Sequence, residues 1–365
     1  MSNNIYKVSP APHLHEHKST RNIMWMVVIA LLPAMAVGTY SYGFKALFLT
    51  LAGGLAAVAC EALIQVLRKV PVSVSDGSAF LTGILVSFNI HANAPYWLPI
   101  VGAIFAIAVG KQVFGGLGNN PLNPALLGRA FLLASWPTLM TDGWKATVKE
   151  SISGLSQGVM TQVDSLSSIA YTKITSATPL NVVKAIRDTT MFSDVANGHT
   201  ALEVQKTIFD GLLDWPSLQN LFLGNIGGCI GEISAIALII GGLFLMMKHI
   251  IDWRIPFSYI GTTFVLAWIF GGMNGLFSAG IQLPLFHILS GGLMLGAFFM
   301  ATDYVTTPVT KRGRIIFGIG CGVLTITIRL VGGYPEGVSY SILLMNLATP
   351  LIDKWTMPKA FGEVK

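Results

Sequence analysis

The chain has 365 residues, of which 53% are hydrophobic and only 11% are charged, and its mean hydropathy is +0.64. Soluble domains carry about 25% charged residues, so this composition excludes an ordinary water-soluble protein. The net charge of +6 predicts no nucleic-acid partner, because the basic residues form short clusters between apolar runs and no single patch. No two of the three cysteines are spaced as a C-x-x-C pair, the motif that could hold an iron–sulfur cluster or structural zinc.

Apolar runs near the ~20 residues needed to cross a bilayer recur along the sequence. We count ten, at residues 23–41, 44–67, 77–90, 97–114, 122–139, 219–247, 257–273, 281–302, 314–330 and 338–352. The runs at 77–90 and 257–273 are short for a full crossing, which indicates tilted, broken or shielded helices. The sequence therefore predicts an all-helical integral membrane protein with about ten transmembrane helices in the lipid bilayer.

The basic residues predict the orientation. With a cytoplasmic N-terminus, the clusters around Arg68, Lys248, Arg312 and Lys354 all fall inside, while the opposite short loops are almost free of Lys and Arg. Two exceptions, Lys45 and Arg329, are expected at helix edges, where a long side chain can extend to the interface. Both termini are thus predicted to be cytoplasmic.

The polar residues divide the chain into five parts. We expect a cytoplasmic segment over 1–22, five transmembrane helices over 23–139, an extracytoplasmic loop over 140–215, five more helices over 216–352 and a cytoplasmic tail over 353–365. An odd number of spans in each half gives the halves opposite orientations, so an inverted repeat is expected. The similar stretches Val113-Phe-Gly-Gly116 and Leu330-Val-Gly-Gly333 follow the fourth run of each half.

Carboxylates within or beside the apolar runs are candidates for an ion pathway. A carboxylate in hydrocarbon costs a few kcal/mol unless it is paired or hydrated. Glu61 and Glu232 are embedded in this way, and Asp303, Asp76 and Glu336 lie at the edges of runs. The alternative is structural, with each acid capping a helix or bonding a neighbouring hydroxyl group.

The connection from Gly110 to Arg129 is dense in glycine, asparagine and proline. Asparagine offers a donor and an acceptor on one short side chain, and glycine allows close backbone approach. This composition suits hydrogen bonding to the edge of a planar heterocycle. It also suits an ordinary turn with a helix cap at Asn123, followed by Pro124 in the first helical turn. No dinucleotide-binding or Walker motif occurs in a strand–helix context.

Several short motifs together resemble the RnfD/NqrB family, and the resemblance extends from about residue 8 to residue 355. The stretches that carry it are Ser9-Pro-Ala-Pro-His13, Ser75-Asp-Gly-Ser78, Gly110-Lys111, Val113-Phe-Gly-Gly116, Asn123-Pro-Ala-Leu126, Gly128-Arg129, Gly231-Glu-Ile-Ser234 and Ala301-Thr-Asp303. The length and the N-terminal motif are more similar to RnfD than to NqrB, which tends to have a longer N-terminal extension.

The resemblance implies a covalent flavin. Family members carry FMN esterified through its phosphate to a threonine in a Ser/Thr-Gly-Ala-Thr motif, attached by a separate flavin transferase. The similar stretch here is Thr175-Ser176-Ala177-Thr178, so Thr178 is the expected FMN-phosphoryl threonine. This sequence departs from the family motif at Ser176, where glycine is usual, and lacks an acidic residue often found slightly upstream.

The resemblance also implies a fold, a second cofactor and partners. The fold expected is similar to that of urea transporters, with two inverted five-helix repeats. Related proteins hold a noncovalent riboflavin, which would contact Asn120 and Asn123 here, and use acids similar to Glu61, Glu232 and Asp303 for ion passage. The implied activity is electron transfer through FMN, coupled to Na⁺ or H⁺ translocation, in the Rnf ferredoxin:NAD⁺ oxidoreductase of a bacterial inner membrane. Expected partners are Rnf subunits of the A, B, C, E and G types, especially the FMN-bearing G subunit.

Three other functions remain open from sequence. The chain could be the NqrB-type subunit of a sodium-pumping NADH:quinone oxidoreductase. It could be a urea-transporter-like channel without a redox role, in which case the purified protein would be colourless. It could also be an assembly scaffold, in which case Thr178→Ala would leave the activity of the complex unchanged.

Overall fold

A computed structural model describes residues 19–141, 180, 213–225, 227–270, 280–332 and 336–358. Within these ranges the regular elements are all helical. The principal helices are α1 (Thr20–Tyr42), α2 (Phe44–Leu67), α3 (Ser78–Phe88), α4 (Trp97–Ile107), α5 (Pro124–Ser135), α6 (Pro137–Thr141), α7 (Trp215–Leu223), α8 (Ala235–Met247), α9 (Arg254–Phe270), α10 (Gln282–Leu289), α11 (Leu293–Leu295), α12 (Lys311–Val331) and α13 (Val338–Thr356). Helices α4 and α11 continue as π-helical turns, Ala108–Gln112 and Gly296–Met300.

Local sequence explains where several of these helices begin. The side chains of Ser19, Asn123, Ser234 and Thr310 accept hydrogen bonds from backbone N–H groups in the first turns of α1, α5, α8 and α12. These bonds satisfy donors that have no partner inside the helix. The Asn123 cap, with Pro124 at the first helical position, matches the structural alternative proposed from sequence.

Three helices, α1, α2 and α12, are long and apolar enough to cross a membrane, among the residues that the structure describes. The α10 and α11 pair would add a fourth span if its two parts form one span bent by 66°. Five shorter apolar helices have 10–17 residues. The predicted all-helical membrane protein is therefore confirmed in outline, whereas the count of ten spans stays a prediction.

The expectation of one continuous helix over 219–247 is wrong. Helix α7 ends where Gly224 adopts a positive φ of 98°, and α8 begins only after the Ser234 cap. The run at 281–302 is also interrupted, by Ser290, Gly291 and Gly292. Hydropathy detects neither break, because glycine does not interrupt an apolar run although it readily adopts conformations outside the helix.

Small residues allow close helix packing at similar places in the two halves. A Cβ atom added to Gly83 on α3 would overlap the backbone of Gly53 on α2, and one added to Gly318 on α12 would overlap Ser258 on α9. In membrane proteins such positions let helix backbones approach closely, where van der Waals contact stabilises the pair. Helix α2 packs on α3 and α4, and α9 packs on α10 and α12.

Two irregular segments meet in the interior. The N–H groups of Ile230 and Gly231 donate to the carbonyl groups of Ile90 and Phe88, each over 3.0 Å. Each segment thus supplies hydrogen-bond partners to backbone groups of the other that have no partner within a helix. Irregular backbone at membrane depth needs such internal partners because lipid offers none. The segment after α3 is in this way joined to the segment before α8.

A mostly apolar groove and two buried charge clusters

A groove lies between α1, α3 and α5 on one side and the second π-helical turn on the other. The cavity that it encloses is about 80 Å³, and the rest of the groove is open. Its walls are mostly apolar. The polar residues among its lining are Ser78, Thr82, Lys111, Asn120, Asn123, Thr302, Asp303 and Tyr304.

Lys111 is buried in the groove wall. Its side chain is 2% exposed, and its Nζ atom lies 2.7 Å from Glu61 Oε1 and 2.6 Å from Ser78 Oγ. Gln112 donates to the same Glu61 carboxylate over 2.8 Å. The π-helical turn at the end of α4 carries both Lys111 and Gln112, and such turns occur frequently at functional sites. Glu61 is therefore a fully paired carboxylate.

The two asparagines predicted to contact a ring both line the groove, but only one has an available atom. Asn123 caps α5 with Oδ1 and donates from Nδ2 to the Met300 carbonyl group over 3.0 Å. Asn120 donates to the Leu122 carbonyl group, while its buried Oδ1 has no hydrogen-bond partner among the described residues. A buried acceptor without a partner is costly, so a ligand that donates to Asn120 would stabilise the site.

Basic connections converge near one end of the groove. Ile250 and Ile251, which line it, lie beside Asp252, whose carboxylate pairs with Arg254 over 2.8 Å and Arg314 over 2.7 Å. Partial burial opposes ionisation of Asp252, but hydrogen bonds from the backbone of Arg254 and from both guanidinium groups outweigh it and lower the pKa of Asp252 below its usual value. The basic connections before α9 and at the start of α12 therefore lie together.

A second charge cluster joins the two halves of the chain in the interior. Arg129 on α5 donates to the Glu336 carboxylate and to the Ser339 hydroxyl group at the start of α13. Arg129 is 7% exposed. Because an unpaired buried charge costs several kcal/mol, removal of either partner would be strongly destabilising.

The expectation that Arg329 extends to the membrane interface is wrong. Arg329 is 6% exposed and donates to three backbone carbonyl groups, those of His287, Ser290 and Glu336. The guanidinium group turns inward because the C-terminal end of α10 presents carbonyl groups that lack helical partners. Lys45, the other predicted exception, donates to the Asn93 carbonyl group over 3.0 Å and lies 5.8 Å from the Tyr96 ring centroid.

Glu232 lies in the irregular segment before α8 and is 7% exposed. Its Oε1 accepts from the Cys229 N–H over 3.0 Å, and its Oε2 is buried without a hydrogen-bond partner among the described residues. Ligand atoms of Cys229, Glu232 and Glu336 lie within 4.8 Å of one another. Glu232 is thus the predicted ion-pathway acid with an available oxygen.

Of the predicted site residues that the structure describes, Asn120, Asn123 and Asp303 line the groove, whereas Glu61 and Glu232 do not. Glu61 pairs with Lys111, Glu232 with Cys229, and Asp303 with Thr306. Thr175, Ser176, Ala177 and Thr178 lie outside the described residues, as does almost all of the predicted loop 140–215.

Sequence reasoning considered the embedded acids as sites but did not single out the basic groups that pair with them. Lys111 and Arg129 lie at 1% and 7% exposure. The signal that would have found them is the one used for the acids, a charge placed inside an apolar run. Ser78 entered the sequence analysis only as part of a family motif, without a role of its own. In the structure its hydroxyl group contacts the buried Lys111.

Apolar helices of membrane-crossing length, irregular interior backbone and buried charge pairs define a multi-pass helical membrane protein with a mostly apolar groove. The chain belongs to the NQR2, RnfD, RnfE family, whose profile matches residues 7–362.

Similar proteins match almost end to end. The D subunit of the Na⁺-translocating ferredoxin:NAD⁺ oxidoreductase complex of Acetobacterium woodii is 47% identical over 360 residues, covering 98% of this chain and 96% of that protein. The D subunit of the proton-translocating ferredoxin:NAD⁺ oxidoreductase complex of Clostridium ljungdahlii is 44% identical over 359 residues, covering 98% and 97%. The D subunit of the ion-translocating oxidoreductase complex of Citrobacter koseri is 35% identical over 370 residues, covering 98% and 99%.

Proposed function

We propose that this chain is the D-type membrane subunit of an ion-translocating ferredoxin:NAD⁺ oxidoreductase complex of the Rnf type. The observation that carries the proposal is the near end-to-end similarity, at 44–47% identity, to two proteins with that role in their names. One of them is named for Na⁺ and the other for protons, so the similarity favours neither ion. As a subunit, the chain acts with Rnf subunits of the A, B, C, E and G types in the bacterial inner membrane.

The first cofactor in this proposal is FMN, joined by a phosphoester bond to the Thr178 hydroxyl group. A flavin transferase makes this bond on the extracytoplasmic side. Its support is the similarity of Thr175-Ser-Ala-Thr178 to the family motif. The flavin supplies the redox chemistry, while the protein supplies position and electrostatics.

The second cofactor is a noncovalent riboflavin in the groove. Three features fit an isoalloxazine ring: apolar walls for its faces, the unpartnered Asn120 Oδ1 for a ring N–H group, and a buried ammonium group at Lys111. Asn123 would contact the ring only as a wall residue, because its amide group is already bonded on both atoms.

The groove also suits a cofactor that gains negative charge. Lys111 carries the cation, and the N-termini of α3 and α5 both border the groove at Ser78, Pro124 and Ala125. A helix N-terminus stabilises nearby negative charge by about 0.3–1 kcal/mol. A reduced flavin is therefore favoured electrostatically at this place.

We assign the ion route to three acids, Glu61, Glu232 and Asp303. Support differs among them. Glu232 has a buried carboxylate oxygen free for a cation or proton, whereas Asp303 borders the groove and accepts from Thr306 over 3.3 Å. Glu61 is held by Lys111, so any change in the charge of Lys111 changes the environment of Glu61 directly.

We also propose that the two halves form inverted five-span repeats, similar to urea transporters, with both termini cytoplasmic. The similar packing of α2 with α3 and α4, and of α9 with α10 and α12, supports the repeat. The clustering of Asp252, Arg254 and Arg314 supports a common side for the basic connections.

Mass spectrometry of the peptide that contains Thr178 tests the covalent flavin. Protein from cells that possess the flavin transferase should yield this peptide with the mass of FMN less one water. Thr178→Ala should lose the modification, and Thr175→Ala, in the same peptide, should retain it. An unmodified wild-type peptide from such cells would contradict the proposal and would favour a channel without redox function.

A further inference from the structure

A chain of hydrogen bonds leads from the surface to the groove wall at Lys111. The half-buried Asp76 accepts from the Ser78 hydroxyl group over 2.7 Å, and Ser78 Oγ accepts from Lys111 Nζ over 2.6 Å. Ser78 and Lys111 both line the groove. Asp76 lies in the connection between α2 and α3, which begins with the basic pair Arg68 and Lys69. Three groups thus join water to the buried ammonium group without a gap.

We propose that Asp76, Ser78 and Lys111 form a proton relay that delivers protons to the cofactor in the groove. The proposal rests on the proposed riboflavin site and deepens it. Proton relays through membrane proteins are built from ionisable side chains at such depths, and a donor must lie within hydrogen-bond distance of the group that it protonates. Lys111 is the group of the three that faces the groove and carries a transferable proton.

The transfer balances in protons and charge. The Lys111 ammonium group would give one proton to a riboflavin reduced by the electron donor of the complex, and Lys111 would become a neutral amine. The Asp76 carboxylate takes one proton from water and passes it to Ser78 Oγ, while the Ser78 hydroxyl group turns from Asp76 towards Lys111 and gives its own proton to the amine. One proton enters from the aqueous side, and Asp76 ends as a carboxylate, Ser78 as a hydroxyl group and Lys111 as an ammonium group.

Two acidic groups lie near Lys111, whose side chain is in the groove wall. Glu61 on α2 lies 2.7 Å from Nζ, and Asp303 borders the groove from the other half. The only nearby cation on a packed element is Arg68, whose guanidinium group donates to the Gln112 carbonyl group over 2.7 Å, among the described residues. An amine formed at Lys111 would therefore face an unpaired carboxylate until the next proton arrives.

Two substitutions break the relay in different places. Ser78→Ala removes the bridging hydroxyl group but keeps the Lys111–Glu61 pair, and Asp76→Asn removes the proton donor while its remaining side-chain oxygen can still accept from the Ser78 N–H. Ser87→Ala is the matched control, because it makes the same change on the same helix at a hydroxyl group that donates to the Gly83 carbonyl group and lies outside the groove lining. Ser78→Thr restores a hydroxyl group and serves as the rescue variant.

The experiment uses the assembled complex in detergent. Electrons are delivered rapidly, reduction of the flavin is followed by absorbance, and proton uptake is followed with a pH-indicator dye. We expect Ser78→Ala and Asp76→Asn to slow proton uptake by tenfold or more, with wild-type flavin content and thermal stability. Ser87→Ala should match the wild type, and Ser78→Thr should recover most of the rate.

Proton uptake at the wild-type rate in Ser78→Ala, with the flavin in place, would overturn the relay alone. Equal slowing in Ser87→Ala would also overturn it, because the effect would then follow from the loss of any buried hydroxyl group of α3. A wild-type complex without riboflavin in this chain would overturn both the relay and the proposed cofactor site.

Discussion

The two halves of the chain each bury a cation near the end of their fourth apolar run, and the two cations are bonded differently. Lys111 donates to side chains, those of Glu61 and Ser78, at the wall of a groove. Among the described residues, Arg329 donates to backbone carbonyl groups alone, at the C-terminal end of α10 and just before α13. Side-chain partners can change protonation, whereas backbone carbonyl groups cannot. The contacts of Lys111 are those that the proposed relay needs, whereas the contacts of Arg329 hold backbone segments together.

The largest expected effect is on stability at the Lys111–Glu61 pair. Lys111→Met leaves a buried carboxylate without its cation, which should lower the free energy of unfolding by about 3–5 kcal/mol. Lys111→Met combined with Glu61→Gln should recover most of this loss, since no uncompensated charge remains. Thermal unfolding in detergent measures both. A double variant as unstable as Lys111→Met would show that the pair is not what stabilises this region.

Arg329→Leu should be nearly as destabilising, by about 3 kcal/mol, because three carbonyl groups lose a charged donor at about 1–3 kcal/mol each. Arg329→Lys should recover only part of the loss, since one ammonium group cannot match the geometry of the guanidinium fork. Arg312→Gln, on an exposed position of the same helix, is the control and should unfold like the wild type. Flavin binding by the Arg329→Lys protein should be unchanged, in contrast to substitutions at the groove.

A smaller effect is expected on ligand affinity at Asn120. Asn120→Ala removes the free acceptor and should weaken riboflavin binding about tenfold, equivalent to about 1.4 kcal/mol. Asn119→Ala, at an exposed neighbouring position, is the control. Riboflavin titration of the flavin-depleted chain, followed by fluorescence quenching, measures both affinities. Equal affinities for the two variants would remove Asn120 from the binding site.

The smallest effect is expected at Asp252. The pKa of Asp252 is lower in the folded protein than in the unfolded chain. The Asp252 carboxylate therefore stabilises the fold fully above the unfolded pKa of about 3.9, and this stabilisation is lost as the pH falls through the folded pKa. Asp252→Asn should therefore cost about 0.2–1 kcal/mol at neutral pH. The difference from the wild type should disappear in strongly acidic buffer. A difference that persists there would indicate that the carboxylate charge is not its cause.

Sequence alone predicted the apolar helices better than their interruptions. The bounds of α1 and α2 follow from long apolar runs between polar or glycine residues, and both runs were found within a few residues of their helices. The break between α7 and α8 was missed because glycine-rich backbone is apolar in composition. Its irregular conformation depends on hydrogen bonds to Phe88 and Ile90, more than a hundred residues away, and no local pattern encodes such partners.

The candidate site shows the same limit. The composition of residues 110–129 indicated a place for a planar ring, and the groove does lie there. The acceptor of Asn123 is used by the N–H groups of the following helix, as the alternative of a helix cap implied. Its amide donor, by contrast, bonds to the Met300 carbonyl group from the other half of the chain, which no local pattern encodes. Arg329 was misjudged for a similar reason, because its carbonyl partners belong to other segments.

The central claim is that the groove beside Lys111 and Asn120 holds a flavin that is not covalently attached. Acid precipitation of the purified chain, followed by chromatography of the supernatant, measures it directly. About one riboflavin per chain should be released, while any flavin on Thr178 stays with the precipitate. A supernatant without riboflavin, from protein purified as an intact and active complex, would contradict the assignment of the groove.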